Sequence, residues 1–245
     1  MKIITAKDYA QLSKAACDIV SDKLKKISQP VLGLATGSTP EGLYECLIER
    51  CNMGEISFRN ATTFNLDEYV GLDETHPGSY QYYMKEKLFN HIDLPIERAN
   101  VPSGTDADLE AHCKAYEEKI REIGKIDIQV LGIGVNGHIG FNEPGTSFDS
   151  RTHVVELDPS TIEVNSRFFD SIDEVPGKAV TMGIQTIMDA DEVVLIISGE
   201  NKADTVAAFM ESDVTEDFPA SILKKHPNFT LIVDEAAYSK VQTKA

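Results

Sequence analysis

The sequence predicts an α/β protein, one domain over residues 1–245, with a mainly parallel, doubly wound sheet and helices on both faces. Three observations support this. Apolar, β-branched runs alternate with helical patterns along the whole chain. The central runs, such as IDIQVL (Ile126–Leu131) and VVLII (Val193–Ile197), are predominantly apolar rather than alternating, as strands buried on both faces should be. Glycine- and hydroxyl-rich turns follow several of these runs, at the strand ends where open α/β sheets hold their ligands.

KIITA opens the chain as a short strand and is followed by the helical pattern AKDYAQLSKAACDIVSDKLKKI. PVLGLA (Pro30–Ala35) and ATTFNL (Ala61–Leu66) are the second and third strands. Helical patterns follow at SYQYYMKEKLFNHI and DLEAHCKAYEEKIREI, the latter closed by Gly124 as a C-cap. After IDIQVL, the strand candidates are THVVEL, KAVTMGI, EVVLIIS and NFTLIV, with NKADTVAAFMES as a helix between the last two. Pro159, Pro176, Pro219 and Pro227 punctuate the second half, and no shift of composition marks a domain boundary. A chain of 245 residues can bury roughly 70% of its unfolded surface without staples.

The net charge is −17, spread along the chain, which disfavours non-specific nucleic-acid binding. Screening at physiological salt confines the same field to roughly 8 Å. A phosphate site must therefore be built locally from a few donors. MKIITAKDYAQL turns polar too soon for a signal peptide, and no apolar run is long enough to span a bilayer, so a cytoplasmic protein without membrane partners is expected. Cys17, Cys46, Cys51 and Cys113 form no metal-type pairs and are expected to be reduced, buried thiols.

Four strand ends carry polar residues. In LATGSTP, Thr36, Gly37, Ser38 and Thr39 form a hydroxyl-rich turn before Pro40, where a helix would begin. An ordinary βα turn capped by Ser38 or Thr39 has this sequence, and so does a phosphate cradle made from free N–H groups and the helix dipole. It is neither a Walker loop nor a dinucleotide fingerprint. In NLDEYVGL, Asp67 and Glu68 follow directly on a strand. They are solvated charges, or one of them faces a ligand, because alternation sends neighbours to opposite faces. A partly buried carboxylate there can act as a general base.

The third strand end, GIGVNGHIGFNEPG (Gly132–Gly145), gathers five glycines around His138, with Asn136 and Glu143 close by. A lone histidine is more often structural. Here the glycines let a ligand approach the backbone, and Asn136 and Glu143 can fix an imidazole tautomer. His138, Glu143 and His153 lack zinc-site spacing, so no metal or other cofactor is expected. The fourth group is cationic: Arg167 in VNSRFF and Lys202 in SGENKAD. Both are plain surface residues or anion contacts. Lys202 lies near a helix N-terminus, where the dipole disfavours a cation and a bound anion relieves it; Arg167 can contact phosphate in bidentate fashion.

With LATGSTP, NLDEYVGL followed by HPGSY, GVNGHIGFNEPG and NSRFF in this order, the chain resembles the glucosamine/galactosamine-6-phosphate isomerase family, on its deaminase side, over essentially its whole length. The resemblance implies a modified Rossmann-like α/β fold. It also implies conversion of glucosamine 6-phosphate and water to fructose 6-phosphate and ammonium, without nucleotide or metal. By motif, Asp67 would move a proton between C2 and C1, and His138 would catalyse ring opening. Glu143 and Asn136 would hold and polarise the imidazole. The family often carries Asp where Asn136 stands, which implies a less basic imidazole here. Thr36, Gly37, Ser38, Thr39, Arg167 and Lys202 match the family's phosphate site. Longer members form hexamers activated by N-acetylglucosamine 6-phosphate; for this shorter chain an unregulated monomer or homo-oligomer is expected.

Two other readings use the same features. A 6-phosphogluconolactonase shares the Gly-rich loop but normally continues as SLFPG, where this chain has FNEPG. A sugar-phosphate sensor would need a DNA-binding segment and no acid–base set. The chemistry favours the deaminase, since ring opening needs a group near neutral pKa and isomerisation needs a carboxylate beside C2.

Overall fold

The computed structural model describes residues 1–166 and 169–241. Its strands are β1 (Lys2–Ala6), β2 (Val31–Leu34), β3 (Thr62–Asn65), β4 (Asp67–Tyr69), β5 (Ala99–Asn100), β6 (Ile128–Leu131), β7 (His153–Glu156), β8 (Lys178–Thr181), β9 (Val193–Ile197) and β10 (Phe229–Asp234). The helices are α1 (Tyr9–Lys26), α2 (Glu41–Asn52), α3 (Tyr80–Lys87), α4 (Leu109–Ile123), α5 (Pro159–Asn165), α6 (Ile184–Met188), α7 (Ala203–Glu211) and α8 (Glu235–Tyr238).

Seven strands form one parallel sheet in the order β1-β10-β9-β6-β2-β3-β5. Its residues alternate between two apolar layers. Leu32 and Leu34 of β2 join Ile128 and Val130 of β6 under α1 and α2, which contribute Leu12, Val20, Leu43 and Leu47. Val31, Phe64, Leu131, Val193 and Leu195 face the other way, against Tyr116 of α4 and Val206 and Phe209 of α7. Each such side chain contributes roughly 1.5–3 kcal/mol through its burial. The doubly wound sheet with helices on both faces is thus as expected.

Two features differ from the sequence reading. The segments THVVEL and KAVTMGI do not extend the parallel sheet. They become β7 and β8 of a second, antiparallel sheet ordered β4-β8-β7, with the unanticipated β4 at its edge. β7 is only half-buried, with Glu156 exposed, which suits an edge strand better than a central one. The second correction concerns the cysteines. Cys17 and Cys46 are joined in a disulfide rather than left as thiols, while Cys51 and Cys113 are free. α1 and α2 pack side by side and bring the two Cα atoms to 6.2 Å, within disulfide range. A separation of 29 residues with a strand between them hides this proximity from the sequence.

The two sheets meet at Leu66. Its N–H donates to the Leu34 carbonyl in the parallel sheet (3.2 Å), and its carbonyl accepts from Met182 N–H beside β8 (2.7 Å). β4 begins at the next residue. Behind it, Gly104 lies so close that a side chain there would collide with the Tyr69 carbonyl oxygen. Gly104→Ala should therefore displace β4 and cost about 1–3 kcal/mol of stability. Urea unfolding reads this directly, and an unchanged midpoint would show that β4 is not so tightly seated.

Candidate active site

The parallel sheet winds outward in two directions from the gap between β2 and β6, and such a switch point opens a crevice above the strand ends. A cavity of about 320 Å³ lies there. It is lined by the turn after β2 (Thr36 to Thr39), by Asp67 after β3, by the loop after β6 including Asn136 and His138, and by Ser198, Asn201 and Lys202 after β9. Residues far apart in the chain are thus gathered by the topology alone.

The turn after β2 is arranged for an anion. Gly37 has φ of 95°, a conformation that disfavours any side chain. Tyrosine hydroxyls from other elements cover the turn's carbonyls. Tyr44 donates to Ala35, Tyr83 to Gly37 (2.6 Å), and Tyr9 to both Ser38 (3.1 Å) and Thr39 (3.0 Å). Among the described residues, none accepts from the N–H groups of Gly37, Ser38 or Thr39. The carbonyls' partial negative charge is thus hydrogen-bonded, and bare N–H donors remain in the turn that lines the cavity, at the positive end of α2. The expected cap by Ser38 or Thr39 is not made. Pro40 is the N-cap without a side-chain bond, and the Tyr9 hydroxyl accepts from Gly42 N–H instead (2.8 Å). None of these tyrosines was legible as a site residue, because each lies on a helix, where nothing in the sequence says that its hydroxyl folds back on the turn.

Asp67 and Glu68 part company as alternation requires. Glu68 accepts N–H bonds from Tyr69, Tyr80 and Gln81 at 2.8–2.9 Å and so holds the first turn of α3. Burial still pushes its pKa up to about 7. Asp67 lines the cavity, and no described residue donates to its carboxylate. Burial, reinforced by the neighbouring Glu68 charge, pushes its pKa up to about 8. Asp67 is therefore a poorly solvated carboxyl with raised basicity, as a carbon base needs.

The loop after β6 carries a hydrogen-bonded relay. Asn136 Nδ2 donates to Glu143 Oε2 (2.8 Å), and Asn136 Oδ1 lies 2.7 Å from His138 Nδ1. Glu143 Oε2 is also 3.5 Å from that nitrogen, and Thr161 of α5 donates to Glu143 Oε1 (2.5 Å). Burial opposes ionisation of Glu143, but the imidazole, Thr161 and Asn136 outweigh it and lower its pKa to about 2. The chain of roles is fixed in one direction. An ionised carboxylate only accepts, so the Asn136 amide must turn its NH₂ toward Glu143 and its oxygen toward His138. His138 Nδ1 then carries the hydrogen, and Nε2 is left as the acceptor. The ring rests against Gly134, where any Cβ would overlap it.

Lys202 sits at the N-cap of α7, as expected, and its ammonium donates to the Ile133 carbonyl (2.8 Å) on the cavity wall. It is the one lysine or arginine among the described lining residues. Arg167 lies outside the described residues. His153 bonds the Arg151 carbonyl (2.8 Å) on β7, away from the cavity. Among the described residues, no group of three or more His, Cys, Asp or Glu side chains is placed to hold a metal, and no helix is long and apolar enough to cross a membrane.

Residues 6–232 match the family of glucosamine-6-phosphate isomerases and 6-phosphogluconolactonase. A glucosamine-6-phosphate deaminase of Oceanobacillus iheyensis is 55% identical over 241 residues, which cover 98% of this chain and 96% of the relative. Glucosamine-6-phosphate deaminase 1 of Bacillus subtilis is 50% identical over 239 residues, 98% of this chain and 99% of that protein. Among solved structures, a monomeric glucosamine-6-phosphate deaminase superposes with a TM-score of 0.96 at 50% identity, covering 98% of this chain and all of that one. A 6-phosphogluconolactonase from Thermotoga maritima shares the fold alone, with a TM-score of 0.75 at 20% identity over 95% of this chain and 99% of its own. Both its sequence and its fold show that the chain belongs to the glucosamine-6-phosphate isomerase/6-phosphogluconolactonase family.

Proposed function

We propose that this protein converts glucosamine 6-phosphate and water to fructose 6-phosphate and ammonium. The observation that carries this reading is one cavity lined by an unsolvated carboxyl, Asp67, and by an imidazole held in a single tautomer, His138, with an N–H cradle at the turn after β2. Relatives about half identical over the full chain are named for the same activity.

In this reading the phosphate binds the N–H groups of Gly37, Ser38 and Thr39 with Lys202; Thr36 completes the turn, and Arg167 is assigned there by its motif alone. His138 Nε2 takes the proton from the anomeric hydroxyl and delivers it to the ring oxygen, and the pyranose opens to the aldehyde. Asp67 removes the C2 proton as O1 gains one from solvent, giving an enol-amine, and returns it to C1 as the nitrogen gives up a proton, leaving an imine at C2. Water adds to the resulting C2 imine, and ammonia leaves. Each acid–base group contributes about 10²- to 10⁴-fold, and the anchored phosphate supplies the positioning. A lactonase needs no base for a carbon-bound proton, so the bare, basic Asp67 favours the deaminase. The acid–base set likewise favours an enzyme over a sensor. The monomeric structural neighbour supports a monomer, and the absence of a membrane-length helix among the described residues agrees with a cytoplasmic protein.

Ammonia release from glucosamine 6-phosphate tests the activity, and a protein that instead opens 6-phosphogluconolactone would overturn it. Asp67→Asn should lower kcat at least 10²-fold while substrate still binds. The same variant should be more stable at high pH. Folding raises the Asp67 pKa from near 4 to about 8, so the unfolded chain sheds its proton first and stability falls across that window. Asn never ionises, so thermal unfolding should show a gain on the order of a few kcal/mol above pH 8 that fades toward pH 4. Lys202→Met should raise KM about tenfold and change kcat less, as loss of a charged contact to phosphate would. Light scattering should give a single chain with hyperbolic kinetics; a hexamer with sigmoidal kinetics would contradict the monomer.

A further inference from the structure

Glu143 is held through both carboxylate oxygens, one from its own loop and one from elsewhere. Oε2 receives the Asn136 amide and faces His138, whereas Oε1 receives, among the described residues, only the hydroxyl of Thr161, at 2.5 Å. Thr161 lies in the first turn of α5, is 5% exposed, and lines the cavity, as does Asn165 at the end of the same helix. The terminal torsion of a glutamate is soft and nearly two-fold, so bonds at one oxygen do not fix the plane of the group. The Asn136 amide is equally soft; its NH₂ is held by Glu143 (2.8 Å), and its oxygen also accepts from the His138 backbone N–H at the longer distance of 3.2 Å. Without a second anchor, the carboxylate can turn away from both the amide and the imidazole, and the amide oxygen at Nδ1 is left to rely on the longer His138 N–H contact.

We propose that Thr161 is a positioning residue of the relay: by bonding Glu143 Oε1 from α5, it locks the carboxylate plane and through Asn136 keeps His138 in the Nδ1–H form with Nε2 as the acceptor. α5 thereby ties one wall of the cavity to the acid–base group. The proposal rests on the role given to His138 above, but the tautomer itself is independent of the substrate.

Thr161→Val keeps the shape and removes the donor; Thr161→Ser keeps the donor and trims a methyl. Nitrogen-15 NMR of the histidine rings, with His138 assigned by His138→Gln, reads the tautomer without any turnover. The wild type and Thr161→Ser should show one Nδ1–H form, and Thr161→Val a mixture of both, with kcat about tenfold lower and KM little changed. If Thr161→Val does not fold, Thr161→Ala against Thr161→Ser makes the same comparison. A single Nδ1–H form and wild-type kcat in the donor-less variant would overturn the proposal. Failure of the wild type to release ammonia would overturn the deaminase reading and leave the NMR result standing.

Discussion

Two hydrogen bonds at Leu66 hold the site in register. Through its N–H the residue belongs to the parallel sheet, at Leu34, and through its carbonyl it belongs to the antiparallel one, at Met182. Each bond is worth only about 1 kcal/mol net, but together they leave the chain no freedom at the point where Asp67 begins. The carboxyl is therefore placed by two sheets and not by a loop. A base that must reach a carbon-bound proton needs such placement, since small displacements of reacting atoms cost rate steeply. The neighbouring Glu68 shows the other half of the constraint, because strand alternation sends it into α3 and leaves Asp67 alone beside the cavity.

The protein carries a net charge of −17, yet its cavity is built to receive an anion. The long-range field is screened in salt, so the short-range geometry decides. That geometry does not rely on many cations. It relies on the backbone: the hydroxyls of Tyr9, Tyr44 and Tyr83 bond the carbonyls of residues 35, 37, 38 and 39, and the N–H groups of residues 37 to 39 remain for the ligand. Lys202 adds one positive charge on the cavity wall. The relay follows a similar logic. A carboxylate that only accepts, an amide with one orientation and an imidazole with one tautomer leave Nε2 with a single role.

Much of this was legible because the deciding signals are local. The glycines around His138, the acid at the end of β3, the hydroxyl turn after β2 and the lysine before α7 each lie at a strand end, and the strand pattern says which edge they share. What stayed hidden depends on contacts between distant segments. Thr161 and the three tyrosines lie in helices where nothing in the sequence pattern marks their hydroxyls, and only packing brings them to the turn and the relay. The antiparallel sheet escaped for a related reason: HVVE and KAVT have strand patterns, but nothing in either says which partner it pairs with or in which direction. The Cys17–Cys46 pair is set by the packing of α1 on α2, which no spacing rule encodes.

The central claim is that Asp67 and the Nε2 atom of His138 act on one sugar whose phosphate is held at the turn after β2. A crystal structure with fructose 6-phosphate bound tests it most directly. The account requires the phosphate on the N–H groups of Gly37, Ser38 and Thr39, the Asp67 carboxylate in contact with C1 and C2, and His138 Nε2 within hydrogen-bond distance of a sugar oxygen at that end. A product bound with its phosphate elsewhere, or with Asp67 and His138 not both touching it, would contradict the account.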